Sequence, residues 1–352
     1  MSQQYEVCVF GAGPAGVATA LRLADLGLSV VACDRRSDKH AWGGESFTGA
    51  IREPLLALGL WDDFLAAGHV AGYEQRTMWG EVGVADSLFN PHGATWHVDR
   101  GRFDKDLRMA LRRSAVSIVG YSSLDVLRRD GGLWRIGLDQ RPEILASYVV
   151  DATGRARAVA RALGVRPRIY DRLVALTAQV PRNRAFDRTM IIQSMANGWW
   201  YAAPVPRGHV LAYFTDSDLA PREWTRRMRM FAANSVFTEV PEGDGWLSVG
   251  DACAAHDPLC GWGVHRALDN GRRAAEAVCA YIRNADASKL ALYGRHCRDQ
   301  FDAYLEGLSE RYSYERRWRE FEFWRRRLRV PAVPSNKTEP ANEIEHAIAA
   351  AS

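Results

Sequence analysis

One glycine-rich stretch, residues 5–34, constrains the fold of this chain more than any other part of it. It opens with a short, mostly apolar run at residues 6–10, which predicts a buried parallel strand. The pattern G-x-G-x-x-G follows at residues 11–16 and leads into a helix-forming run of small and apolar residues. A second apolar run at residues 28–33 predicts another strand. A strand, a glycine turn, a helix and a strand in this order predict a βαβ unit that binds a dinucleotide.

The residue types of this unit suit a pyrophosphate, although a purely structural tight turn is the alternative. Gly11 permits the turn, the missing side chain of Gly13 lets phosphates approach the backbone, and Gly16 lets the helix pack on the strand. The helix start offers free N–H groups and a partial positive charge. Asp34 follows at the spacing expected for a carboxylate that binds a ribose hydroxyl. The predicted nucleotide-binding residues here are Gly11, Gly13, Pro14, Ala15, Gly16, Asp34 and Arg35.

The overall composition is that of a soluble globular protein with one or two lobes. The 352 residues carry a formal net charge of +4, which is too small and too dispersed to predict nucleic-acid binding. No apolar run reaches the roughly 18 residues that a membrane span needs. The first predicted strand begins so close to Met1 that we expect no signal peptide. Six cysteines without metal-ligand spacing complete the prediction of a reduced, cytoplasmic protein.

Two charged residues before the middle of the chain each have two interpretations. Glu45 follows two glycines, and it is either a helix-capping acid or an acid beside a reactive ring. Arg100 starts a predicted helix, where it either binds pyrophosphate oxygens or pairs with Asp104 one turn later.

Two later strand ends also carry residues typical of nucleotide contacts. The strand at residues 148–151 ends in D-A-T-G, and Gly154 there lets the backbone approach a nucleotide; an ordinary capped turn is the alternative. Asp251 ends another strand and is suited to accept a hydrogen bond from a sugar-like hydroxyl. Pro258 sets a turn, and Gly261 and Gly263 expose backbone N–H groups at the next helix start to an electron-rich ring edge.

The remaining aromatic residues suggest a second surface. Side chains alternate along a strand, so the three rings at residues 199–201 cannot all face one way, and at least one should face a pocket or a partner. Residues 304–329 combine aromatic side chains with many arginines. They predict either a helix whose arginines lie over the protein body or a docking surface for an acidic or aromatic partner. Residues 331–352 predict a mobile tail.

Together these motifs resemble the single-Rossmann FAD proteins of the aromatic hydroxylase, geranylgeranyl reductase and tryptophan halogenase superfamily. The resemblance covers most of the chain. It rests on residues 11–16 with Asp34, on residues 151–154, and on Gly250-Asp251 followed by Asp257-Pro258. Residues 44–46, 96–100, 198–201 and 315–327 are most similar to one branch, the flavoproteins that mature tryptophylquinone cofactors in bacterial enzymes.

The resemblance implies an α/β fold: a Rossmann-like FAD-binding domain of the glutathione reductase-like type, an inserted antiparallel β-sheet substrate domain and C-terminal helices. The implied FAD-binding domain comprises residues 1–70, 99–165 and 246–285. The implied substrate domain comprises residues 71–98 and 166–245, followed by C-terminal helices at residues 286–330. The implied cofactor contacts add Ser46, Arg100, Gly154, Asp251, Pro258, Gly261, Trp262 and Gly263 to those above.

The implied activity is hydroxylation of an indole, free or within a peptide or protein, through a flavin C4a-hydroperoxide. NAD(P)H or a partner flavin reductase would supply electrons, and Glu45 and His97 are the candidates for proton handling. Trp262 stands where relatives usually carry glutamine, and Cys260 where serine is common, so the substrate is less defined than the cofactor.

Three alternatives accompany this prediction. A tryptophan or indole halogenase would carry a W-x-W-x-I-P segment and a lysine that relays hypohalous acid, whereas residues 199–204 break that pattern and Lys39 falls in a polar loop. A geranylgeranyl reductase-like enzyme would need a long apolar tunnel. A flavin-bound scaffold would dock a partner through residues 304–329 without turnover.

Overall fold

A computed structural model describes residues 3–35, 44–86, 93–182 and 189–328. The predicted tail at residues 331–352 and the loop residue Lys39 lie outside the described residues. Within the described ranges, none of the helices combines the length and apolar character that crossing a membrane requires.

The described chain contains runs of consecutive strands separated by single helices or groups of helices. The strands are β1 (Gln3–Phe10), β2 (Val30–Arg35), β3 (Gly44–Phe47), β4 (Val70–Gly72), β5 (Glu74–Trp79), β6 (Glu81–Asp86), β7 (Thr95–Asp99), β8 (Ser117–Tyr121), β9 (Leu124–Asp130), β10 (Leu133–Leu138), β11 (Ile144–Asp151), β12 (Pro167–Ile169), β13 (Leu173–Val180), β14 (Thr189–Met195), β15 (Gly198–Val205), β16 (Gly208–Asp216), β17 (Arg229–Ala232), β18 (Val236–Thr238), β19 (Glu242–Gly243), β20 (Trp246–Ser248) and β21 (Ala254–Ala255). The helices are α1 (Pro14–Asp25), α2 (Arg52–Ala57), α3 (Trp61–Ala66), α4 (Arg100–Arg113), α5 (Ala158–Ala162), α6 (Arg222–Arg227), α7 (Gly263–Asn284), α8 (Ala287–Ser313) and α9 (Glu322–Arg325).

The first sheet has the predicted nucleotide-binding topology, with parallel strands in the order β20-β11-β1-β2-β8. Strands β9, β10 and β19 extend it by antiparallel pairing. Along β1, Val7 and Val9 contact one apolar cluster, whereas Cys8 and Phe10 contact another on the opposite face. Because both faces are covered at residues 7–10, this half of the strand is apolar throughout.

Helices α1 and α7 pack side by side against this sheet. The Thr19 hydroxyl donates to the Ala15 carbonyl at 2.8 Å and to the Gly271 carbonyl at 3.1 Å. A Cβ atom on Gly271 would lie 2.6 Å from the Ala15 carbonyl oxygen, so glycine permits this close approach. Residues at the start of both helices consequently line the same cavity.

A second sheet has the strand order β17-β13-β16-β15-β14-β5-β6, with antiparallel pairing throughout except between β14 and β5. A separate small sheet has the strand order β3-β7-β4. The predicted α/β class is therefore confirmed, with a Rossmann-type sheet, a largely antiparallel second sheet and C-terminal helices. The predicted domain boundaries stay a prediction.

The C-terminal segment after α8 packs on the second sheet, and this corrects one interpretation. Trp318, Phe323 and Trp324 are buried in a cluster with Trp199 and Phe214. These rings cannot form a docking surface, because they are already covered by the protein's own core. The other interpretation holds in part: Arg326 and Arg327 lie over the protein body in ion pairs with Asp216 at 2.8 and 2.7 Å, but the segment is not one helix, since α8 ends at Ser313 and α9 begins at Glu322.

A buried carboxylate anchors this segment. Glu315 is fully buried and accepts hydrogen bonds from Ser194 at 2.5 Å and from the Gly80 backbone at 2.8 Å, and it pairs with Arg317 at 2.6 Å. Burial alone would raise the pKa of Glu315, but these donors outweigh it and lower the pKa. The stabilisation is therefore present above the ordinary carboxyl pKa and is lost as the pH falls through the lowered value.

Replacing Glu315 by glutamine is expected to lower the free energy of unfolding by about 2–3 kcal/mol, because Arg317 loses its buried partner. Thermal unfolding at neutral pH measures this change. Glu322→Gln is the matched control, since Glu322 pairs with Arg325 and Arg326 at the exposed surface, and its midpoint should stay unchanged. Equal midpoints for the two variants would contradict the anchoring role.

Candidate active site

A cavity of about 1100 Å³ lies where the glycine-rich loop, the second sheet and the end of α8 meet. It is bounded on one side by the predicted nucleotide-binding segments and on the other by side chains of the second sheet. The predicted site residues that line it are Gly13, Pro14, Ala15, Glu45, Ser46, Arg100, Gly154, Asp251, Pro258, Gly261, Trp262 and Gly263. The structure thus brings together segments that are far apart in the sequence.

Other predicted residues support this cavity without lining it. Gly11 has φ +101°, and a Cβ atom there would lie 2.4 Å from the Ala152 carbonyl oxygen. A Cβ atom on Gly16 would lie 2.0 Å from the Gly11 carbonyl oxygen, so this glycine packs the helix start onto the turn. Asp34 accepts a hydrogen bond from the Ala12 backbone at 3.2 Å, and Arg35 is exposed at the end of β2.

Two long helices begin at the cavity without a side-chain cap. Helix α1 starts with Pro14 after Gly13, and helix α7 starts with Gly263 after Trp262; neither helix has a capping side chain among the described residues. Each start presents backbone N–H groups and the positive end of a helix dipole. The two starts are therefore suited to two electron-rich groups of one extended ligand.

Glu45 and Arg100 form an ion pair at the cavity wall. Glu45 lies in β3 rather than at a helix start, so the helix-capping interpretation is wrong. Arg100 also contacts Asp104 at 3.2 Å, as one of its two interpretations predicted. Burial alone would lower the pKa of Arg100, but the carboxylates of Glu45 and Asp104 outweigh it and raise the pKa. The guanidinium group stays charged beside the cavity.

A hydrogen-bonded chain leads from the cavity to His97. The Tyr201 hydroxyl lies 2.6 Å from the Ser46 hydroxyl, which lies 2.7 Å from Nδ1 of His97. Ser46 and His97 face each other because β3 pairs with β7 in that register. His97 does not line the cavity. Burial, with a smaller contribution from His209, lowers the pKa of His97 to about 4, so the imidazole is neutral at neutral pH.

The opposite wall of the cavity is a face of the second sheet. Trp199 and Tyr201 point into it from β15, whereas Trp200 points to the other face and contacts Tyr213. The expectation that at least one ring of this trio faces a pocket is confirmed. Trp199 stacks on Phe214 with ring centroids 4.0 Å apart. This wall offers flat aromatic surfaces to the cavity.

Asp257 connects the loop before α7 to this aromatic wall. Its carboxylate accepts hydrogen bonds from the Leu259 backbone at 2.9 Å and from the Tyr312 hydroxyl at 2.7 Å. The Tyr312 oxygen in turn accepts a hydrogen bond from the Trp199 indole at 3.2 Å. Burial raises the pKa of Asp257 to about 6. The loop, helix α8 and the wall are thus held in one arrangement.

Several cavity residues carried no recognisable signal in the sequence. Arg155 follows Gly154 and contacts Asp251 at 3.4 Å and the His256 carbonyl at 3.3 Å. The lining also includes Glu310 and Arg311 from the last turn of α8 and Tyr314 directly after it. The position of Arg155 directly after Gly154 is a sequence signal for a cavity residue. The three residues at and directly after the end of α8 have no such signal, because their place at the cavity depends on how α8 packs against the sheet.

The residues present fit the FAD that the sequence motifs imply. A Cβ atom on Gly13, Gly154, Gly261 or Gly263 would meet no protein atom within 4 Å, so the backbone is open to a ligand at each of these positions. The uncapped start of α1 suits a pyrophosphate, and that of α7 suits an electron-rich ring edge.

Comparisons with known proteins support the FAD that the motifs imply. A model of the family described as FAD-dependent oxidoreductase matches residues 6–309. LodB of Marinomonas mediterranea, named as an FAD-dependent oxidoreductase, is 25% identical over 374 aligned positions, which cover 94% of this chain and 99% of LodB.

Two further similar proteins have more specific names. A 1H-pyrrole-2-carbonyl-(peptidyl-carrier protein) brominase of Pseudoalteromonas luteoviolacea is 26% identical over 343 positions, covering 86% of this chain and 82% of the brominase. The solved structure of QhpG, a peptidyl tryptophan dihydroxylase essential for tryptophylquinone cofactor biogenesis, has a TM-score of 0.73 at 23% identity. That match covers 92% of this chain and 78% of QhpG, and it reports on the fold.

Proposed function

The chain belongs to the FAD-dependent oxidoreductase family, and from this premise we propose that it hydroxylates the indole ring of a tryptophan held in a peptide or protein. FAD, once reduced, supplies the oxygen-activating chemistry. The proposed electron source is NAD(P)H or a partner flavin reductase. Hydroxylation exchanges a ring C–H for C–OH, with one atom of O₂ entering the ring, the other leaving as water, and the ring proton passing to a base.

The observation that carries this proposal is the continuity of the cavity. The same space extends from the uncapped starts of α1 and α7 to Trp199 and Tyr201 on the second sheet. The glycine-rich segments and the two helix starts on the first side would hold the nucleotide, and the flat aromatic side chains stand on the other side of the same space. Such a wall orients a planar indole and excludes water from its face, and orientation in a dry site is the main requirement of this chemistry.

We assign proton removal to the chain of Tyr201, Ser46 and His97. With the His97 proton on Nε2, Nδ1 accepts from Ser46, which in turn accepts from Tyr201 at the cavity. Burial raises the pKa of Tyr201, so its hydroxyl stays protonated and passes a proton only by exchange along the chain. Glu45, a second candidate, is engaged by Arg100 and is better suited to hold that guanidinium group beside the cavity.

A macromolecular substrate is favoured by the open side of the cavity. Tyr314 and Phe231 line it and yet expose 56% and 39% of their surface to solvent. The names of two similar proteins support the same direction, since QhpG is a peptidyl tryptophan dihydroxylase and the brominase acts on a carrier-protein-bound pyrrole. A closed chamber would instead favour a small free substrate.

Labelled oxygen provides the test. FAD-loaded protein, an NADH-driven flavin reductase and a tryptophan-containing peptide are incubated under ¹⁸O₂, and the peptide is analysed by fragment mass spectrometry. We expect labelled oxygen on the indole, with no label when only the water is labelled. If neither peptides nor free indoles gain oxygen while the flavin is reduced and reoxidised, the proposal is wrong.

Halogenation of an indole or pyrrole is the second candidate, favoured by the likeness to the brominase over most of the chain. A halogenase of the expected type needs a lysine at its cavity. Among the described residues no lysine lines this cavity, and Lys105 and Lys289 are exposed on α4 and α8. Adding bromide or chloride to the same assay separates the candidates, because a halogenated peptide in place of an oxygenated one would favour the second.

A further inference from the structure

Strand β17 forms an exposed edge of the second sheet next to the cavity. It pairs with β13 on one side and is the terminal strand of that sheet in the described chain. All four of its residues are exposed, including Met230 at 55%. Phe231 and Ala232 also line the cavity. An exposed edge strand offers unpaired backbone groups to a further strand.

The register tells which backbone groups of β17 face outward. The Ala233 backbone donates to the Leu173 carbonyl at 3.0 Å, and Phe231 stands opposite Ala175 in the same antiparallel register. Hydrogen-bonded pairs alternate with non-bonded pairs in antiparallel sheets. The N–H and C=O groups of Met230 and Ala232 therefore point away from β13, where an added strand would meet them.

The surface beside this edge is basic. Helix α6 directly precedes β17 and packs through Trp224 on Trp200 on the outer face of the sheet. Its side chains Arg222, Arg226 and Arg227 are exposed and form no ion pair within the described residues. Glu223 is the acidic residue of this helix. The net positive charge of α6 is complementary to an acidic polypeptide segment.

We propose that β17 is the docking edge for an extended, acidic segment of the substrate polypeptide, which adds as a strand and brings its aromatic side chain past Phe231 into the cavity. This inference rests on the proposed function and names how the substrate is held. Backbone pairing supplies the register, and the arginines of α6 select acidic flanking residues.

Proline at one outward-facing position tests the backbone pairing. Met230→Pro removes an N–H group that faces outward, and proline is tolerated on edge strands at such positions. Met230→Thr is the matched control, because it removes the same apolar side chain and keeps the N–H group. For a short peptide with a central tryptophan and acidic residues on both sides, we expect KM to rise roughly five- to tenfold in Met230→Pro relative to Met230→Thr.

Charge reversal tests the acidic preference separately. The double variant Arg226→Glu with Arg227→Glu is expected to have a higher KM for the acidic peptide. For a second peptide, in which lysines replace the acidic residues, its KM should be lower than that of the wild type. Arg112→Glu changes an exposed residue of α4 and is the control; KM for both peptides should stay at the wild-type value. An unchanged preference in the double variant would overturn the inference.

Hydrogen exchange separates failure of this inference from failure of the proposed function. In the free full-length protein, the Met230 and Ala232 amides should exchange fast, and they should be protected when the acidic peptide is added, whether or not turnover occurs. Protection already present in the free protein, or none on addition of a peptide that is hydroxylated, would overturn the docking edge and leave the proposed function intact.

Discussion

Replacing Gly13 by tryptophan is expected to give a folded protein that no longer binds FAD. A Cβ atom on Gly13 would meet no protein atom within 4 Å, and its φ of −78° suits any residue, so the chain should tolerate the change. The added indole would occupy the cavity at the start of α1, where the phosphates must lie. We expect FAD affinity to fall by more than roughly a hundredfold, about 3 kcal/mol. Flavin absorbance after purification and calorimetric titration with FAD measure it.

Two further glycine variants make this result specific. Gly13→Ala should fold normally and weaken FAD binding by a smaller factor, since only a methyl group meets the nucleotide. Gly16→Ala should instead destabilise the protein, because its Cβ atom would lie 2.0 Å from the Gly11 carbonyl oxygen. A Gly13→Trp protein that keeps wild-type FAD affinity would exclude the start of α1 as the phosphate site.

Replacing Tyr201 by phenylalanine should slow product formation by roughly a hundredfold or more while FAD binding is retained. The ring still completes the aromatic wall, but the hydroxyl that connects the cavity to Ser46 is gone. His97→Asn should produce a loss of similar size, and the double variant should be hardly slower than either single variant, because both changes interrupt one chain. Rapid-quench measurement of peptide oxidation gives the rates.

The rate of proton removal through Tyr201, Ser46 and His97 should depend on pH in one direction. Burial and His209 lower the pKa of His97 to about 4, so the imidazole accepts a proton at neutral pH and loses this capacity only as the pH falls towards that value. His69→Asn is the matched control, since burial also lowers the pKa of His69 and it lies outside the cavity. If His69→Asn slows product formation as much as His97→Asn, the losses reflect general destabilisation, and the proposed proton relay of Tyr201, Ser46 and His97 is wrong.

The nucleotide-binding part could be predicted because its signal is local. Residues 11–16 determine the backbone turn at Gly11, the open backbone at Gly13 and the close packing at Gly16. All three features lie within one turn and the first turn of α1. The alternation of Trp199, Trp200 and Tyr201 was equally predictable, since the two faces of a strand follow directly from its geometry.

The parts that could not be predicted depend on contacts between distant segments. The relay joins Ser46 to His97 through the pairing of β3 with β7, and it reaches Tyr201 in a different sheet. The sequence leaves two environments open for Glu45, because the residues around it do not distinguish a strand from a helix start. The aromatic residues after α8 suggested a docking surface, but Trp318 and Trp324 contribute to the protein's own core. Local composition does not tell which surface covers such rings.

The central claim, that one cavity holds both the FAD ring and an aromatic substrate, is tested most directly by titrating the FAD-loaded protein with the tryptophan peptide while the flavin spectrum is recorded. We predict a saturable shift of the flavin absorbance bands, with the same midpoint as peptide binding measured by calorimetry. A peptide that binds with calorimetric saturation and leaves the flavin spectrum unchanged, or a protein that takes up no FAD, would contradict the account.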